Sequence, residues 1–338
     1  MATITEYIEP LLRGENLTQE QATKVLDIIF EGQIPEIQIS AFLTAMRCRP
    51  TTAAELAGLA KSLRAHAVRV DAGIDNLVDT CGTGGAAVKT FNISTAAAIV
   101  AAGAGVHVAK HGNRAITSKC GSADVLGELG VNIEAGPEVV GRCIREAGIG
   151  FMFAPRYHPA MKYVQPVRKA LGFRTVFNFL GPLANPAAVS AQVLGVADQT
   201  LMAVVAEALN LLGVRRAMIV HSNGLDEISI MGPTKITELK AGEITNWTLY
   251  PGDYGARTAD LDSLSGGDAK GNADIVKNIL AGKEKGPRKD IVVLNAAAAI
   301  IVGGLAQEFA QALQIVGQAI DSGQAAQRLE KMIEVSNS

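Results

Sequence analysis

The stretch of the sequence that most clearly suggests chemistry is the glycine-rich run from Asp79 to Gly85. Three of its last four residues are glycine, and it directly follows a short apolar segment with the pattern of a strand. Without a Cβ in the way, successive backbone N–H groups can point at one anion, which is how many phosphate loops are built. The same spacing also occurs in ordinary turns between a strand and a helix, so this run alone leaves both interpretations open.

A second candidate anion contact follows at residues 92–95, Asn-Ile-Ser-Thr, immediately before an alanine-rich helical pattern. Ser94 has the side chain of a good N-cap, and a helix start offers unpaired N–H groups and the positive end of the helix dipole. A phosphate group would find favourable partners there, together with the hydroxyls of Ser94 and Thr95. The alternative is that Ser94 only caps the helix.

A third polar group lies at the end of a predicted strand, where Lys110, His111, Asn113 and Arg114 fall within five residues. Open α/β sheets bind ligands at their strand ends, so this cluster is a candidate site. A single His or Lys in such a loop is usually solvated, but this density of polar residues favours binding. A turn containing Ser122 then precedes another predicted helix and offers either capping or anion contact.

These groups lie in a region whose pattern predicts strands alternating with helices. The predicted strands are Leu77 to Asp79, Val106 to Ala109, Gly150 to Phe153, Val193 to Val196 and Ala217 to His221. The predicted helices lie near Ser94 to Ala104, Ala123 to Leu129, Pro137 to Ala147 and Leu201 to Leu212. This order predicts an α/β fold with a mostly parallel central sheet.

The residues before this region have the pattern of helices only. Two helix starts carry capping boxes, namely Thr18 with Gln21 and Thr52 with Glu55. Helical patterning returns near residues 159–185, where Pro166 is expected to kink the helix. We therefore predict a small all-helical domain over residues 1–72, with that helical return, and a larger α/β domain over residues 73–338.

Composition narrows the class of protein. With 48% hydrophobic and 19% charged residues among 338, an ordered chain with two structural regions is expected, and the formal charge of −2 argues against a general nucleic-acid binder. The most apolar stretches, Thr95 to Val106 and Ile291 to Ala306, are too short to span a membrane and predict buried helices. The four cysteines lack zinc spacing and the start lacks a secretory pattern, so we expect a reduced, cytoplasmic protein without a membrane or nucleic-acid partner.

In combination these motifs resemble a known family. The run GTGG is followed by TFNISTAAAIVAAGAG, KHGNRAITSKCGSADVLGELG and FAPRYHPAMKYVQPVRKALGFRTVFNFLGPLANP, then by GLDE at residues 224–227 and GGDAKGNA at residues 266–273. This order is similar to that of the anthranilate phosphoribosyltransferases of tryptophan biosynthesis. The resemblance implies a nucleoside phosphorylase/phosphoribosyltransferase-like fold and a homodimer formed through the helical domain. It also implies transfer of the 5-phosphoribosyl group of phosphoribosyl diphosphate to the amino group of anthranilate, with release of diphosphate.

The same resemblance assigns the residues that bind the sugar diphosphate. Ser94, Asp226 and Glu227 would hold magnesium, expected as two ions, and they offer the hard oxygen ligands that this metal prefers. The alternative for the two acidic residues is a solvated turn. The residues expected to contact phosphoribosyl diphosphate are Gly82, Thr83, Gly84, Gly85, Lys89, Thr90, Asn92, Ser94, Thr95, Lys110, His111, Gly112, Asn113 and Ser122.

Anthranilate needs a cation for its carboxylate and a flat wall for its ring, and Arg168 can supply a bidentate fork. The residues that the resemblance places near anthranilate are Gly82, His111, Asn113, Tyr157, His158, Arg168 and Gly181. The alternatives are a core position for Tyr157 and an exposed position for Arg168. Because positioning and charge neutralisation should dominate this chemistry, we assign His111 and Arg168 as catalytic without a firm general base.

One position departs from the family pattern, in which an Asp usually follows the GTGG loop. This chain has Ala86 there, and Lys89 stands nearby. We hypothesise that Lys89 partly replaces metal charge at the diphosphate, and the alternative is that it points into solvent. Two other classes also stay open: a pyrimidine nucleoside phosphorylase, which shares the architecture and the phosphate loop, and a catalytically silent relative that binds nucleic acid.

Overall fold

The computed structural model describes residues 3–85, 88–115 and 120–338 of the chain. The helices are α1 (Thr5–Leu12), α2 (Gln19–Phe30), α3 (Glu36–Arg47), α4 (Ala53–Ala65), α5 (Ile93–Gly103), α6 (Ser122–Glu128), α7 (Pro137–Ala147), α8 (Ala154–Tyr157), α9 (Gln165–Leu171), α10 (Phe177–Leu180), α11 (Met202–Leu211), α12 (Ala269–Leu280), α13 (Pro287–Val302), α14 (Phe309–Asp321) and α15 (Gln324–Ser336). Short 3-10 helices span Pro159–Tyr163, Gly181–Leu183, Gln199–Leu201, Pro251–Tyr254 and Asp262–Leu264. The strands are β1 (Leu77–Gly82), β2 (His107–Gly112), β3 (Ile149–Phe153), β4 (Ala191–Gly195), β5 (Arg216–His221), β6 (Thr234–Lys240) and β7 (Glu243–Leu249).

The first four helices form a bundle, and both predicted capping boxes are present. Thr18 and Thr52 each accept a hydrogen bond from the backbone N–H three residues further on, at 3.1 and 3.3 Å. The fully buried Glu55 carboxylate also accepts the N–H of Leu17 at 2.9 Å and pairs with Arg49. The predicted all-helical start of the chain is confirmed.

The helical return packs against this bundle. Val164, Val167 and Leu180 belong to the same buried cluster as the apolar faces of α1–α4. Pro166 does not kink a continuous helix as predicted; it lies in the first turn of α9, where its missing N–H costs no hydrogen bond. The division of the chain into domains at residue 72 stays a prediction.

A seven-stranded sheet runs through the α/β region in the order β3-β2-β1-β4-β5-β6-β7. The first five strands in this order are parallel, whereas β6 and β7 are antiparallel. The five predicted strands and the mostly parallel sheet are confirmed. The sequence pattern does not predict β6 and β7, whose turn places Ala241 and Gly242 in the left-handed region with φ of +50° and +89°. The pair Ala-Gly lacks the Asn or Asp that usually marks such a turn.

Two of the strands run further than predicted. β1 continues to Gly82, and the pairing of β2 with β3 continues to Gly112, three residues beyond each predicted end. Lys110 and His111 therefore lie inside a buried strand, 2% and 7% exposed, rather than in a solvated loop.

The two most apolar stretches form α5 and α13, which pack against each other under the sheet. Every residue of α5 except Ser94 is buried, so the predicted buried helices are confirmed. None of the helices in the described part of the chain is long and apolar enough to cross a membrane.

Candidate functional site

The glycine loop lies at the carboxyl ends of β1 and β4. Gly84 and Gly85 have φ of +64° and +73°, a left-handed backbone that glycine adopts without steric cost. Thr83 donates its N–H to the carbonyl oxygen of Gly195 at 2.9 Å, and Gly84 donates its N–H to Oδ2 of Asp226 at 3.1 Å. The Gly84 amide therefore binds a carboxylate oxygen of the protein itself, which shows that the loop backbone can donate to an anionic oxygen.

Three glycines at strand ends allow close approaches that a side chain would block. A Cβ on Gly82 would collide with the Asp226 carboxylate, and one on Gly195 would collide with the Asp226 backbone. A Cβ on Gly112 would collide with Oγ of Ser122, which itself donates to the carbonyl oxygen of residue 113 at 3.3 Å. The acidic turn after β5 and the start of α6 are therefore drawn against the ends of the parallel strands.

Asp226 and Glu227 form a half-buried acidic pair beside the loop. Burial, followed by the charge of Asp226, raises the pKa of Glu227 to about 8, and burial also raises the pKa of Asp226. The charge of Lys110 and a hydrogen bond from the Ser94 backbone oppose the shift of the Glu227 pKa. A bound divalent cation would stabilise the charged form of both carboxylates.

The donor set fits magnesium. Asp226, Glu227 and the Ser94 hydroxyl are hard oxygen donors, and magnesium commonly takes one or two carboxylates while retaining waters and substrate oxygens. No group of three or more His, Cys, Asp or Glu able to hold a metal occurs among residues 3–85, 88–115 and 120–338.

Lys110 brings a buried positive charge to the same place. Its Nζ donates to the carbonyl oxygen of Thr80 at 2.6 Å and lies 3.4 Å from Oγ of Ser94. Burial lowers the pKa of Lys110, while the charge of Asp79 is the largest effect opposing this. Burial raises the pKa of Asp79 to about 6, and the charge of Lys110 limits that rise.

The start of α5 differs from the prediction that Ser94 is the N-cap. The helix begins at Ile93, Asn92 occupies the N-cap position without a side-chain cap hydrogen bond, and Ser94 lies in the first turn. The Asn92 N–H is held from outside the helix, by Oδ1 of Asn272 at 3.0 Å. The N-cap prediction is therefore wrong, although Ser94 does lie at the helix N-terminus.

Two polar atoms near this helix start are well placed for a ligand. Oδ1 of Asn92 and Oγ1 of Thr95 are buried without a hydrogen-bond partner in the described part of the chain. Buried polar atoms are normally satisfied, so a polar ligand at this position would complete them. Before the helix, Lys89 is exposed and Thr90 is half-buried. Ala86 lies outside the described residues, so the hypothesis that links Ala86 to Lys89 stays a prediction.

A cavity of about 520 Å³ opens beside the glycine loop, between the sheet and the helical return. Leu63, Met161 and Phe177 contribute apolar walls. The predicted site residues that line it are Gly82, Thr83, His111, Gly112, Asn113, His158, Arg168 and Gly181. The structure thus brings most of the proposed anthranilate contacts to one concave surface next to the candidate phosphate loop.

Arg168 is the more buried of the two cations that line this cavity, the other being the exposed Lys162. Its guanidinium carbon lies 5.4 Å from the centre of the Phe177 ring, and its Nη1 donates to Oε1 of Gln165 at 3.2 Å. The side chain is half-buried, and burial lowers its pKa. Stacking on the ring orients the planar fork, whose other N–H groups can bind a carboxylate.

His111 and His158 stand edge to face in the same cavity, with ring centres 5.0 Å apart. Burial lowers the pKa of His111 to about 3, with a further contribution from His158, and burial lowers the pKa of His158 to about 4. Both rings are therefore neutral at neutral pH and can give or accept hydrogen bonds without adding charge.

Tyr157 does not reach the cavity. It is fully buried, and its hydroxyl donates to the carbonyl oxygen of Ala135 at 2.9 Å. Its ring packs with Val70 and Ile144 in a separate core cluster. This placement corresponds to the core alternative and does not support the expected contact between Tyr157 and an aromatic substrate.

Arg174 is a site residue that the sequence pattern does not reveal. Its guanidinium donates to the carbonyl oxygens of Gly84 and Gly85 at 3.2 and 3.3 Å, and its charge opposes the rise that burial causes in the pKa of Asp226. The guanidinium carbon lies 5.7 Å from the centre of the Phe179 ring. Its place in the FRTVFN segment is a weak signal, because nothing local in that segment indicates a contact with the glycine loop.

Comparison with known proteins defines the class first. The helical bundle domain of the glycosyl transferase family matches residues 5–67, and the a/b domain of the glycosyl transferase family matches residues 74–326. The chain is thus a glycosyltransferase with both domains of that family.

Individual relatives define the family within this class. The anthranilate phosphoribosyltransferase of Herpetosiphon aurantiacus is 52% identical over 99% of both chains. The crystal structure of the enzyme from Thermus thermophilus superposes with a TM-score of 0.93 at 40% identity, covering 98% of this chain and 99% of that one. The enzyme from Saccharomyces cerevisiae in complex with PRPP and Mg gives a TM-score of 0.89 at 30% identity, covering 98% and 97%. The chain belongs to the anthranilate phosphoribosyltransferase family.

Proposed function

We propose that this protein transfers the 5-phosphoribosyl group of phosphoribosyl diphosphate to the amino group of anthranilate, giving N-(5-phosphoribosyl)anthranilate and diphosphate in tryptophan biosynthesis. The observation that carries this proposal is that Gly82 and Thr83 belong both to the glycine loop and to the wall of the cavity that contains Arg168. A diphosphate on the loop and an aromatic acid in the cavity would therefore lie side by side.

The chemistry calls for positioning rather than for a strong nucleophile. The bond between C1 of the ribose and the diphosphate oxygen breaks, a bond from C1 to the amine nitrogen forms, and the amine loses one proton. An aromatic amine is neutral and weakly nucleophilic, so its orientation and the neutralisation of the leaving group dominate. With a pKa of about 3, His111 is a poor proton acceptor, which supports a role in orienting the amine by hydrogen bonding.

Phosphoribosyl diphosphate is proposed to lie across the strand ends. The left-handed glycine backbone of the loop and the buried charge of Lys110 support diphosphate binding, and the unpartnered oxygens of Asn92 and Thr95 support ribose and phosphate contacts. The proposed contacts are Gly82, Thr83, Gly84, Gly85, Lys89, Thr90, Asn92, Ser94, Thr95, Lys110, His111, Gly112, Asn113 and Ser122.

Magnesium is proposed as the cofactor, held as two ions by Ser94, Asp226 and Glu227 together with the diphosphate. When bound, it neutralises charge on the departing diphosphate. The Saccharomyces cerevisiae relative that was determined with PRPP and Mg supports this use. Within this chain, the Gly84 N–H and Arg174 orient and partly compensate the Asp226 carboxylate.

Anthranilate is proposed to occupy the cavity with its carboxylate on Arg168. His111, His158 and Asn113 would surround the ring and the amine, and Gly82 and Gly181 would leave room for the flat ring. A structure of the yeast relative in complex with 4-fluoroanthranilate, 29% identical with a TM-score of 0.88 over 98% of this chain and 97% of that one, supports an aromatic acid as ligand.

We also infer a homodimer formed through the helical region and a cytoplasmic location. Leu12 on α1 and Ile37 on α3 are 67% and 78% exposed, and these two helices are neighbours. Apolar side chains that are this exposed on adjacent helices support an interface. All four cysteines are thiols rather than disulfides, as is usual in proteins of a reducing compartment.

The direct test is a fluorescence assay of anthranilate consumption with phosphoribosyl diphosphate, with and without magnesium. Magnesium-dependent formation of phosphoribosyl-anthranilate is expected. Phosphorolysis of thymidine or uridine without this activity would instead support the nucleoside phosphorylase. Salt-sensitive binding of nucleic acid without either activity would support the silent relative.

A further inference from the structure

The GGDAKGNA motif at residues 266–273 has no role in the site described so far. It forms the turn that leads into α12, where Oδ1 of Asp268 accepts the N–H of Gly271 at 2.9 Å as a helix cap. Phe91 and Asn92, which directly precede α5, lie against this turn. The motif is therefore in contact with the segment that enters the candidate substrate site.

Asn272 makes the connection between the motif and α5. Its side chain is 2% exposed, and its Nδ2 donates to the carbonyl oxygen of Asp268 at 2.7 Å and to that of Gly267 at 3.3 Å. Its Oδ1 accepts the N–H of Asn92 at 3.0 Å. Both amide donors face carbonyl groups and the oxygen faces an N–H, so the orientation of the amide follows from its partners.

Close packing accompanies this hydrogen bond. A Cβ on Gly266 would lie 2.6 Å from Oδ1 of Asn272 and 2.7 Å from Cα of Phe91, so the contact requires glycine. The carbonyl oxygen of Leu264 accepts the N–H of Phe91 at 2.9 Å, and both side chains are buried in the core of the α/β region. Two successive N–H groups before α5 are thus held by residues 264–272.

We propose that Asn272 is a positioning residue for phosphoribosyl diphosphate, acting through the backbone of Asn92. α5 has no side-chain cap of its own, and the contact from Asn272 holds the backbone of its N-cap residue, while Oγ1 of Thr80 donates to the carbonyl oxygen of Ser94 at 3.1 Å. The first turn of α5 presents Asn92, Ser94 and Thr95, and the N–H groups of a helix start bind an anion well only when they converge on it. This inference rests on the proposed function, which names the sugar diphosphate as the ligand of α5.

The test compares two substitutions in the same turn. Asn272→Ala removes the acceptor of the Asn92 N–H, whereas Asp268→Ala removes the cap of α12 and leaves that hydrogen bond in place. Loss of one hydrogen bond of ordinary strength predicts a rise of about three- to tenfold in the KM for phosphoribosyl diphosphate in Asn272→Ala, with the KM for anthranilate within about twofold of wild type. In Asp268→Ala both constants should stay near wild type, although both variants should unfold at lower temperature.

Gly266→Ala provides a second test, because the added methyl group would collide with Asn272 and Phe91 and so push the Asn272 side chain away from the Asn92 N–H. It should raise the KM for phosphoribosyl diphosphate in the same direction. Calorimetric titration with phosphoribosyl diphosphate and magnesium, without anthranilate, should show the same loss of affinity in Asn272→Ala. An unchanged affinity in that variant, or an equal loss in Asp268→Ala, would overturn the inference. The two proposals can fail separately. If Asn272→Ala loses affinity for phosphoribosyl diphosphate but the wild type forms no phosphoribosyl-anthranilate, the proposed function is refuted and the inference about Asn272 is not.

Discussion

In the cavity, Arg168 supplies a positive charge, whereas the two neutral histidines can supply hydrogen bonds. Because burial keeps His111 and His158 uncharged, Arg168 and the exposed Lys162 are the cations that line the cavity, and the half-buried Arg168 is the one held against the Phe177 ring. A charge-assisted hydrogen bond of this kind contributes roughly 1.5 to 3 kcal/mol. Selectivity for the carboxylate should therefore depend mainly on Arg168, whose planar guanidinium is oriented by that ring.

Arg168→Ala is expected to lower kcat/KM for anthranilate by about ten- to a hundredfold, while the KM for phosphoribosyl diphosphate stays near wild type. Steady-state kinetics with each substrate varied in turn measure both. Lys169→Ala, which removes an exposed cation from the same helix, is the matched control and should change neither. A raised KM for phosphoribosyl diphosphate with unaltered anthranilate kinetics would move Arg168 to the other substrate.

Glu227 predicts how stability depends on pH when no metal is bound. Its pKa rises from the ordinary 4.5 to about 8, so between these values the folded protein holds a proton that the unfolded chain has released. The free energy of unfolding should therefore fall as pH rises through this range. Melting temperatures in the presence of a chelator should show a steeper fall for wild type than for Glu227→Gln, and magnesium should reduce the difference. Parallel profiles for the two proteins would contradict the assignment.

Residue types and spacing were enough to predict which residues belong to the candidate site, but they predicted less well what those residues contact. The glycine loop, Lys110 and Arg168 could be named because each belongs to a short motif. Tyr157 and Arg174 could not be placed, because a motif does not tell which of two adjacent side chains faces a cavity or which distant loop an arginine reaches. Arg174 contacts Gly84 across 90 residues of sequence.

At the scale of the elements, the parallel strands were predictable because their buried cores are continuous apolar runs. Their ends were not, since Lys110 and His111 look like loop residues until the neighbouring strand β3 pairs with them. The start of α5 was also misplaced, and the contact from Asn272 that holds the backbone there comes from 180 residues further along the chain. Local sequence patterns indicate whether a segment forms a helix or a strand, whereas contacts with distant residues determine where that element begins and ends.

Arg174 links the loop after α9 to the loop after β1, so its removal should affect one substrate more than the other. Arg174→Ala is expected to raise the KM for phosphoribosyl diphosphate about three- to tenfold, because the carbonyl groups of the glycine loop lose their shared donor. Arg174→Lys keeps the charge near Asp226 but cannot bridge both carbonyls, and it should show an intermediate constant. Equal effects on both substrates in kinetic assays would point to a general loss of structure instead.

At the scale of the whole molecule, the cavity lies where the helical return meets the sheet, so the helical region contributes directly to the site. The exposed apolar residues on α1 and α3 lie elsewhere on that region and are available to a second copy of the chain. If two copies associated through these residues, the cavity would remain accessible to substrate.

Sedimentation velocity should give about twice the chain mass of 35.3 kDa for wild type. Ile37→Asp places a charge in the inferred interface and is expected to shift the protein toward the single-chain mass. Leu305→Asp makes the same change at a residue that is 43% exposed in the α/β region, and it should leave the mass unaltered. A wild type that sediments as a single chain would rule out the dimer.

The alanine-rich packing of α5 against α13 also has an entropic consequence. Alanine loses no rotamer freedom on burial, so the alanine part of this interface forms at a low cost in side-chain entropy and offers few alternative side-chain arrangements. The helix that presents Asn92, Ser94 and Thr95 is therefore a stiff platform. The neighbouring glycine loop has the opposite character, because glycine has the most conformational freedom of any residue. Adjustment to substrates of different shape should occur in the loop and leave α5 where it is.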